Sequence, residues 1–240
     1  MGRAHEVRAA SMAKTAAAKS KLYSRYGKEL YMAAKAGVPD SEMNQGLKRK
    51  IAEAKANQVP ADVIKRAIEK AKGGTDESYD SCRYEGFGPE AATIVIDCLT
   101  DNTNRTISDI KTCFNKAHCK LGVAGSVSHS YDAVGLFSFG HDDEEGMLDA
   151  LIMADVDVKD LELEEGTMIV YTESTDFHKA QTAITEIIGE EAEFDVCEIT
   201  MLPQEYVSID GKENQELWNR LLTLLNDVED VQNIYHNVKE

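Results

Sequence analysis

The order of strand-like and helix-like patterns after residue 76 constrains the fold of this chain more than any other feature. Runs of alternating or continuous apolar residues, which are typical of strands, lie at 92–99, 126–131, 136–139, 167–171, 197–201, 206–209 and 231–235. Helical patterns begin near Asn104 and Asp143 and cover residues 180–188 and 215–228. The elements therefore follow one another as β-α-β, then β-α-β-α-β, then β-α-β.

The last β-α-β unit is too small to bury a sheet of its own, because an isolated pair of strands is marginally stable in water. Paired with the first unit, it makes a four-stranded sheet with two helices, the ferredoxin-like arrangement. The predicted fold class is α+β, with two ferredoxin-like α/β domains, one inserted in the other. We place the discontinuous domain at 76–132 plus 204–240 and the inserted domain at 133–203.

The first 75 residues predict a different structure, an all-helical bundle. Leu22, Tyr26, Leu30 and Ala34 recur every four residues, which indicates a helix with one buried face. Two further amphipathic helices follow, separated by turns that contain proline. Residues 8–19 are rich in alanine but have a weak apolar face, which is typical of a mobile arm or of one that folds on binding.

The charge of the chain divides at the same place. The formal net charge is -17, yet residues 1–75 hold 16 Lys and Arg against 7 Asp and Glu, a net charge of +9. The other 165 residues carry a net charge of -26. A polyanion would attract the first segment and repel the rest. Three interpretations stay open: binding of nucleic acid or the ribosome, an electrostatic clamp between the two parts of the protein, and solvated helix surface.

The candidate nucleic-acid-binding residues are cations of this basic segment, because Lys and Arg are the usual partners of phosphates. They are Arg3, Arg8, Lys14, Lys19, Lys21, Arg25, Lys28, Lys48, Arg49, Lys50, Lys65 and Arg66. The rings of Tyr23, Tyr26 and Tyr31 are suited to stacking on bases. Their helical spacing nevertheless favours a place in the hydrophobic core.

The chain carries none of the common catalytic motifs. The run Gly86-Phe87-Gly88-Pro89 resembles a phosphate loop, but it precedes a strand, and Pro89 has no backbone N–H to offer a phosphate. A P-loop, a nucleophile elbow and a zincin motif are all absent. The acidic runs lack the spacing of a calcium-binding loop. We therefore predict that the protein is not an enzyme.

The sequence also carries signals about the cellular compartment of the protein. No apolar run approaches the roughly 18 residues of a membrane span, and the N-terminal segment lacks the apolar core of a signal peptide. Five cysteines without a Cys-x-x-Cys pair favour reduced thiols. Cys113, His118, Cys119 and His129 cluster in sequence, but their spacing is not that of structural zinc ligands. We predict a cytoplasmic protein without a metal site or cofactor.

Two stretches carry a specific family resemblance: YEGFGPEAATIVIDCLTDNTNRT at 84–106 and LGVAGSVSHSY at 121–131. They resemble the YebC/PmpR family of probable transcriptional regulatory proteins, including its YeeN-like branch. Similar stretches at 52–74, 170–180 and 231–238 extend the resemblance over essentially the full chain. It implies three domains, a helical bundle and two α/β domains of which one interrupts the other.

The resemblance implies a DNA-binding regulator without a catalytic centre. Other members of the family, including a mitochondrial translational activator, are linked to the ribosome. The expected partner is therefore DNA, or rRNA and tRNA on the ribosome, with no membrane and no small-molecule substrate. Many members open with Gly-His-Ser-Lys-Trp, whereas this chain opens MGRAHEV and has Trp218 as its only tryptophan. A contact made through that N-terminal tryptophan is not expected here.

Overall fold

The computed structural model describes residues 16–73, 78–189 and 193–239. Three helices come first: α1 (Ala16–Lys35), α2 (Gln45–Ala56) and α3 (Ala61–Lys72). Their shared core includes Tyr26, Leu30, Ala34, Leu47 and Ile64, so the predicted helical bundle is confirmed over these residues. The predicted arm at 8–19 lies mostly outside the described residues.

The later elements complete the chain. In order they are β1 (Asp80–Phe87), β2 (Thr93–Thr100), α4 (Thr103–Lys116), β3 (Lys120–Leu121), β4 (Tyr131–Gly140), α5 (Glu144–Met153), β5 (Val158–Glu164), β6 (Thr167–Glu173), α6 (Phe177–Ile188), β7 (Phe194–Pro203), α7 (Lys212–Asp227) and β8 (Val231–His236). Two four-stranded antiparallel sheets result, with the strand orders β3-β1-β2-β8 and β5-β6-β4-β7. The predicted α+β class, with helices first and two sheets after them, is confirmed.

The second sheet has the full ferredoxin-like connection, because β4-α5-β5-β6-α6-β7 is a β-α-β-β-α-β chain. Helices α5 and α6 cover one face around Phe137, Phe139, Met168 and Phe177. The first sheet joins its strands differently, because β1 and β2 form a hairpin, α4 connects β2 to β3, and α7 precedes β8. Helices α4 and α7 cover it around Phe114 and other core residues.

Two predicted strands are wrong. The pattern at 126–131 belongs to a loop, because the buried carboxylate of Glu85 accepts hydrogen bonds from the backbone N–H groups of Gly125, Val127 and Ser128. These amides are not free to pair in a sheet, and β4 begins only at Tyr131. Burial raises the pKa of Glu85, but the hydrogen bonds from the three amides lower it by a larger amount. The pKa of Glu85 therefore lies below its ordinary value.

The second error is at 206–209, where Val207 makes only an isolated bridge to Val238. The four-stranded first sheet instead uses β1 and β3, and the inserted unit gains β5. Both β1 and β5 carry charged residues and are largely exposed or half-buried, so they show weak apolar patterns. The predicted domain boundaries stay a prediction, and the one after residue 132 lies inside β4.

Candidate nucleic-acid interface

The structure divides the predicted nucleic-acid-binding residues into three groups. Arg3, Arg8 and Lys14 lie outside the described residues. Four residues are buried or half-buried and make contacts within the protein, and we name them the anchor cations: Lys21, Arg25, Lys28 and Lys50. Five are exposed to solvent, and we name them the surface cations: Lys19, Lys48, Arg49, Lys65 and Arg66. Whether any of them binds nucleic acid stays a prediction.

Lys21 attaches α1 to the end of α7. Its Nζ donates to the carbonyl oxygens of Asn226 and Val228, at 3.0 and 3.3 Å. These carbonyls lie at the C-terminus of α7, where a helix has unpaired acceptors and a partial negative charge. Burial lowers the pKa of Lys21. The half-buried side chain therefore caps a helix.

Arg25 attaches the same face of α1 to β8. It is 7% exposed, its Nη1 donates to Oδ1 of Asn233 at 2.5 Å, and its guanidinium lies 4.9 Å from the ring centre of Tyr26. Burial lowers the pKa of Arg25, but Tyr26, Glu29 and nearby carboxylates raise it by more. The guanidinium is a buried, permanently charged part of the interface between α1 and the first sheet.

The third contact of α1 involves Lys28 and a buried carboxylate. The Nζ of Lys28 lies 3.5 Å from the carbonyl oxygen of Leu99 and 4.0 Å from Oδ1 of Asp230. Asp230 is 4% exposed, and sequence patterns did not indicate any role for it. Its only sequence signal is its place immediately before the final strand.

The TDNTNRT run at 100–106 builds the pocket for Asp230. The carboxylate accepts hydrogen bonds from the hydroxyls of Thr100 and Thr106, at 3.0 and 2.9 Å, and from Nη2 of Arg105 at 2.9 Å. Asn102 caps α4 by accepting from the backbone N–H of Arg105, which fixes the start of that helix. Burial raises the pKa of Asp230, but the three donors lower it by more. This run of the family resemblance therefore has a structural role.

Lys50 is neutralised inside the helical bundle. Its Nζ lies 3.1 Å from a carboxylate oxygen of Glu29 and 2.7 Å from one of Glu53. Burial lowers the pKa of Lys50, but the two carboxylates raise it by more. Lys50 is therefore paired inside the basic segment itself, and the electrostatic clamp between the two parts of the protein stays a prediction.

The surface cations lie on the outer faces of the helices. Lys65 is 3.9 Å from Glu69, and Arg66 pairs with Asp62, each within α3. Both pairs are exposed, so water screens them strongly. Within the part of the chain that the structure describes, no carboxylate lies at ion-pair distance from Lys48 or Arg49. Among the surface cations of α2 and α3, these two side chains are therefore the strongest candidates for contact with an external anion.

Lys48 and Arg49 line a cleft of about 550 Å³ between α2 and α6. His178, in the first turn of α6, and Thr182 line the opposite wall. Burial lowers the pKa of His178, and although Glu53 raises it, the nearby positive charge of Arg49 lowers it as well. Sequence patterns gave no sign that α2 faces this histidine.

Neither a metal site nor a membrane-spanning helix is found among the described residues. Across residues 16–73, 78–189 and 193–239, no three His, Cys, Asp or Glu side chains come together in a way that would hold a metal ion. In the same ranges, no helix has the length and apolar character needed to span a membrane.

Known proteins match this chain over both its helical bundle and its two sheets. A family model described as the TACO1/YebC protein N-terminal domain matches residues 3–74, and one described as the TACO1/YebC second and third domain matches residues 79–238. A conserved hypothetical protein from Aquifex aeolicus has a similar solved structure, with a TM-score of 0.73 and 28% identity, covering 92% of this chain and 90% of that one.

Curated relatives of nearly the same length are named probable transcriptional regulatory proteins. A probable transcriptional regulatory protein from Marinomonas sp. (strain MWYL1) is 51% identical over 239 residues, which is 100% of both chains. Another of that name, from Acholeplasma laidlawii, is 53% identical over 238 residues, which is 99% of this chain and 98% of the relative. With both family models matched and relatives aligned from end to end, this chain belongs to the TACO1/YebC family.

Proposed function

We propose that the protein is a cytoplasmic DNA-binding transcriptional regulatory protein that contacts nucleic acid through its basic helical module, residues 16–73. The observation that carries this proposal is the exposure of Lys48 and Arg49 without a carboxylate partner among the described residues. The module holds 13 Lys and Arg against 6 Asp and Glu. The names of the curated relatives support the regulatory part of the proposal.

The anchor cations contribute to this function indirectly. Because Lys21, Arg25 and Lys28 hold α1 against the first sheet, the module has one orientation relative to the acidic remainder of the chain. A polyanion would then approach the faces of α2 and α3 and would be repelled elsewhere. Binding through phosphate contacts falls with salt, by a log–log slope of about 0.9 for each phosphate neutralised on duplex DNA.

A second candidate function is a ribosome-associated translation factor that binds rRNA or tRNA. One observation favours it: α6 lies opposite Lys48 and Arg49 across the cleft. A recognition helix enters the major groove of a duplex and needs one face clear of other elements. With α6 facing it, α2 cannot do so through the face that carries Lys48. Irregular or unpaired RNA makes no such demand.

Crosslinking in living cells, followed by sequencing of the bound nucleic acid, separates the two candidates. Recovery of promoter DNA supports the regulator and contradicts the translation factor. Recovery of rRNA and tRNA does the reverse.

A charge-reversal variant tests the shared claim that α2 contacts nucleic acid. Changing Lys48→Glu together with Arg49→Glu should weaken binding by at least about tenfold and reduce the salt slope by about 2, one for each cation removed. Lys111→Glu with Lys116→Glu on α4 is the matched control, because both lysines are exposed on a helix of the acidic part. Equal effects of the two double variants would contradict a contact at α2.

A further inference from the structure

We infer that the cleft between α2 and α6 binds an unpaired nucleotide of a single-stranded polynucleotide. The inference rests on the proposed function and names the form of nucleic acid that this function uses. It concerns both walls of the cleft, whereas the proposed function concerns the helical module alone.

The first argument is size and rigidity. A volume of about 550 Å³ is in the range of small-molecule sites, which suits a single nucleotide and not a duplex. The walls are tied together behind the cleft, because Nδ2 of Asn57, just after α2, donates to the carbonyl oxygen of Cys197 at 2.6 Å. Gln181 of α6 lies against the same residue, with its Nε2 3.6 Å from the sulfur. The cleft therefore exists before any ligand enters.

The second argument is the distribution of charge. Lys48 and Arg49 place two cations on the α2 wall. On the α6 wall, Lys179 is already paired with Asp155 and Asp176, each at 3.2 Å, and Glu186 is acidic. A phosphate is therefore attracted to the α2 wall and not to the α6 wall. The strand backbone would run along α2.

The third argument is the chemistry of the remaining lining. Gln45 and Thr182 offer hydrogen-bonding groups, and Ala52 and Ala183 offer apolar surface. The ring of His178 adds a flat surface on which a base can stack. The face of a base is available for stacking on a side chain only when the base is unstacked, as in an unpaired nucleotide. A duplex presents phosphates on a convex surface and cannot place a base between α2 and α6.

A charge placed on the α6 wall tests the inference without touching the basic module. Thr182→Glu puts a carboxylate in the cleft, and Thr223→Glu on α7 is its matched control. Both threonines are exposed, and each hydroxyl donates to the carbonyl four residues earlier, to His178 at 2.9 Å and to Asn219 at 2.8 Å. The two variants therefore carry the same added charge in the same helical setting.

The measurement is fluorescence anisotropy with a labelled 12-nucleotide RNA strand, the DNA strand of the same sequence, and the corresponding DNA duplex. We expect Thr182→Glu to weaken single-strand binding by at least about tenfold and Thr223→Glu by less than about twofold. Equal losses, or no loss at Thr182, would overturn the inference. A single strand that binds no better than the duplex would overturn it as well.

A variant of opposite sign protects the test from loss of folding. Thr182→Lys adds a cation to the cleft and should tighten single-strand binding, which a misfolded protein cannot do; unchanged or weaker binding would count against the cleft. The outcomes also separate the two proposals. If Lys65→Glu with Arg66→Glu weakens binding but Thr182→Glu does not, the function stands and the cleft fails. If the wild-type protein binds none of the three probes, the proposed function itself fails.

The same titration shows whether the protein prefers ribose or deoxyribose, because it includes an RNA strand and a DNA strand of one sequence. Tighter binding of the RNA strand than of the DNA strand favours the translation factor, and the opposite order favours the regulator. In either case, a strand that contains 4-thiouridine or 4-thiothymidine should crosslink to peptides that include His178 or Thr182. Crosslinks confined to other peptides would contradict the inference.

Discussion

Three cations of α1 and two cations of α2 have opposite roles. Lys21, Arg25 and Lys28 of α1 bind a helix end, an amide oxygen and a carbonyl oxygen of the first sheet domain. Lys48 and Arg49 of α2 are exposed and border an open cleft. The difference arises from what packs against each helix and not from residue type. A basic segment can therefore be part interface and part binding surface.

The largest expected effect concerns the carboxylate beneath α1. Asp230→Ala should lower the free energy of unfolding by about 3 kcal/mol, because it removes the buried acceptor that Thr100, Thr106 and Arg105 share. Urea denaturation measures the loss. Asp101→Ala is the control, since Asp101 also pairs with Arg105, at 2.7 Å, but is exposed. A loss no greater than that of the control would contradict a stabilising role for the Asp230 carboxylate, which Lys28 of α1 approaches at 4.0 Å.

A smaller loss is expected at Arg25. Arg25→Ala removes the hydrogen bond to Asn233 and the packing against Tyr26, and should cost about 2 kcal/mol. Lys19→Ala on the same helix should change stability by less than about 0.5 kcal/mol, because Lys19 is exposed. Chemical denaturation of both variants gives the comparison. Similar values for the two would show that α1 is not held by its buried face.

Acid should weaken the anchored side selectively. The pKa of Asp230 is lower in the folded protein than in the unfolded chain, so the unfolded chain binds more protons as pH falls. The stabilisation is present above the unfolded value, about 3.9, and is lost as pH falls through the folded pKa. The stability difference between wild type and Asp230→Asn should therefore shrink below about pH 4. A difference independent of pH between 2 and about 7 would contradict this assignment.

The sequence predicted the helical bundle because Leu22, Tyr26, Leu30 and Ala34 keep a strict helical spacing and all face one local core. It also predicted that two sheets form from interleaved segments. It misplaced a strand at 126–131, because nothing in the local pattern shows that Glu85 binds three amides of that loop. A contact over some forty residues is invisible to a reading based on periodicity.

The candidate site was predictable only as a pool of cations. Which of them become buried depends on partners far away in the chain, such as Asn226 for Lys21 and Asn233 for Arg25. The cleft needs α2 and α6 to meet, and these helices are separated by more than a hundred residues and by the first sheet. The composition was enough to predict a basic module. Which of its cations are exposed depends on tertiary packing, which the composition does not show.

The most direct test of this account compares the two helices in one experiment. A labelled nucleic-acid strand is titrated with wild type, with Lys48→Glu plus Arg49→Glu, and with Arg25→Ala, and the stability of each protein is measured in parallel. The account predicts that the α2 variant loses at least about tenfold in affinity but stays within about 0.5 kcal/mol of wild-type stability. It predicts the reverse for Arg25→Ala, which should lose stability and keep its affinity within about threefold. Wild-type affinity in the α2 variant, or a greater loss of affinity in Arg25→Ala, would contradict it.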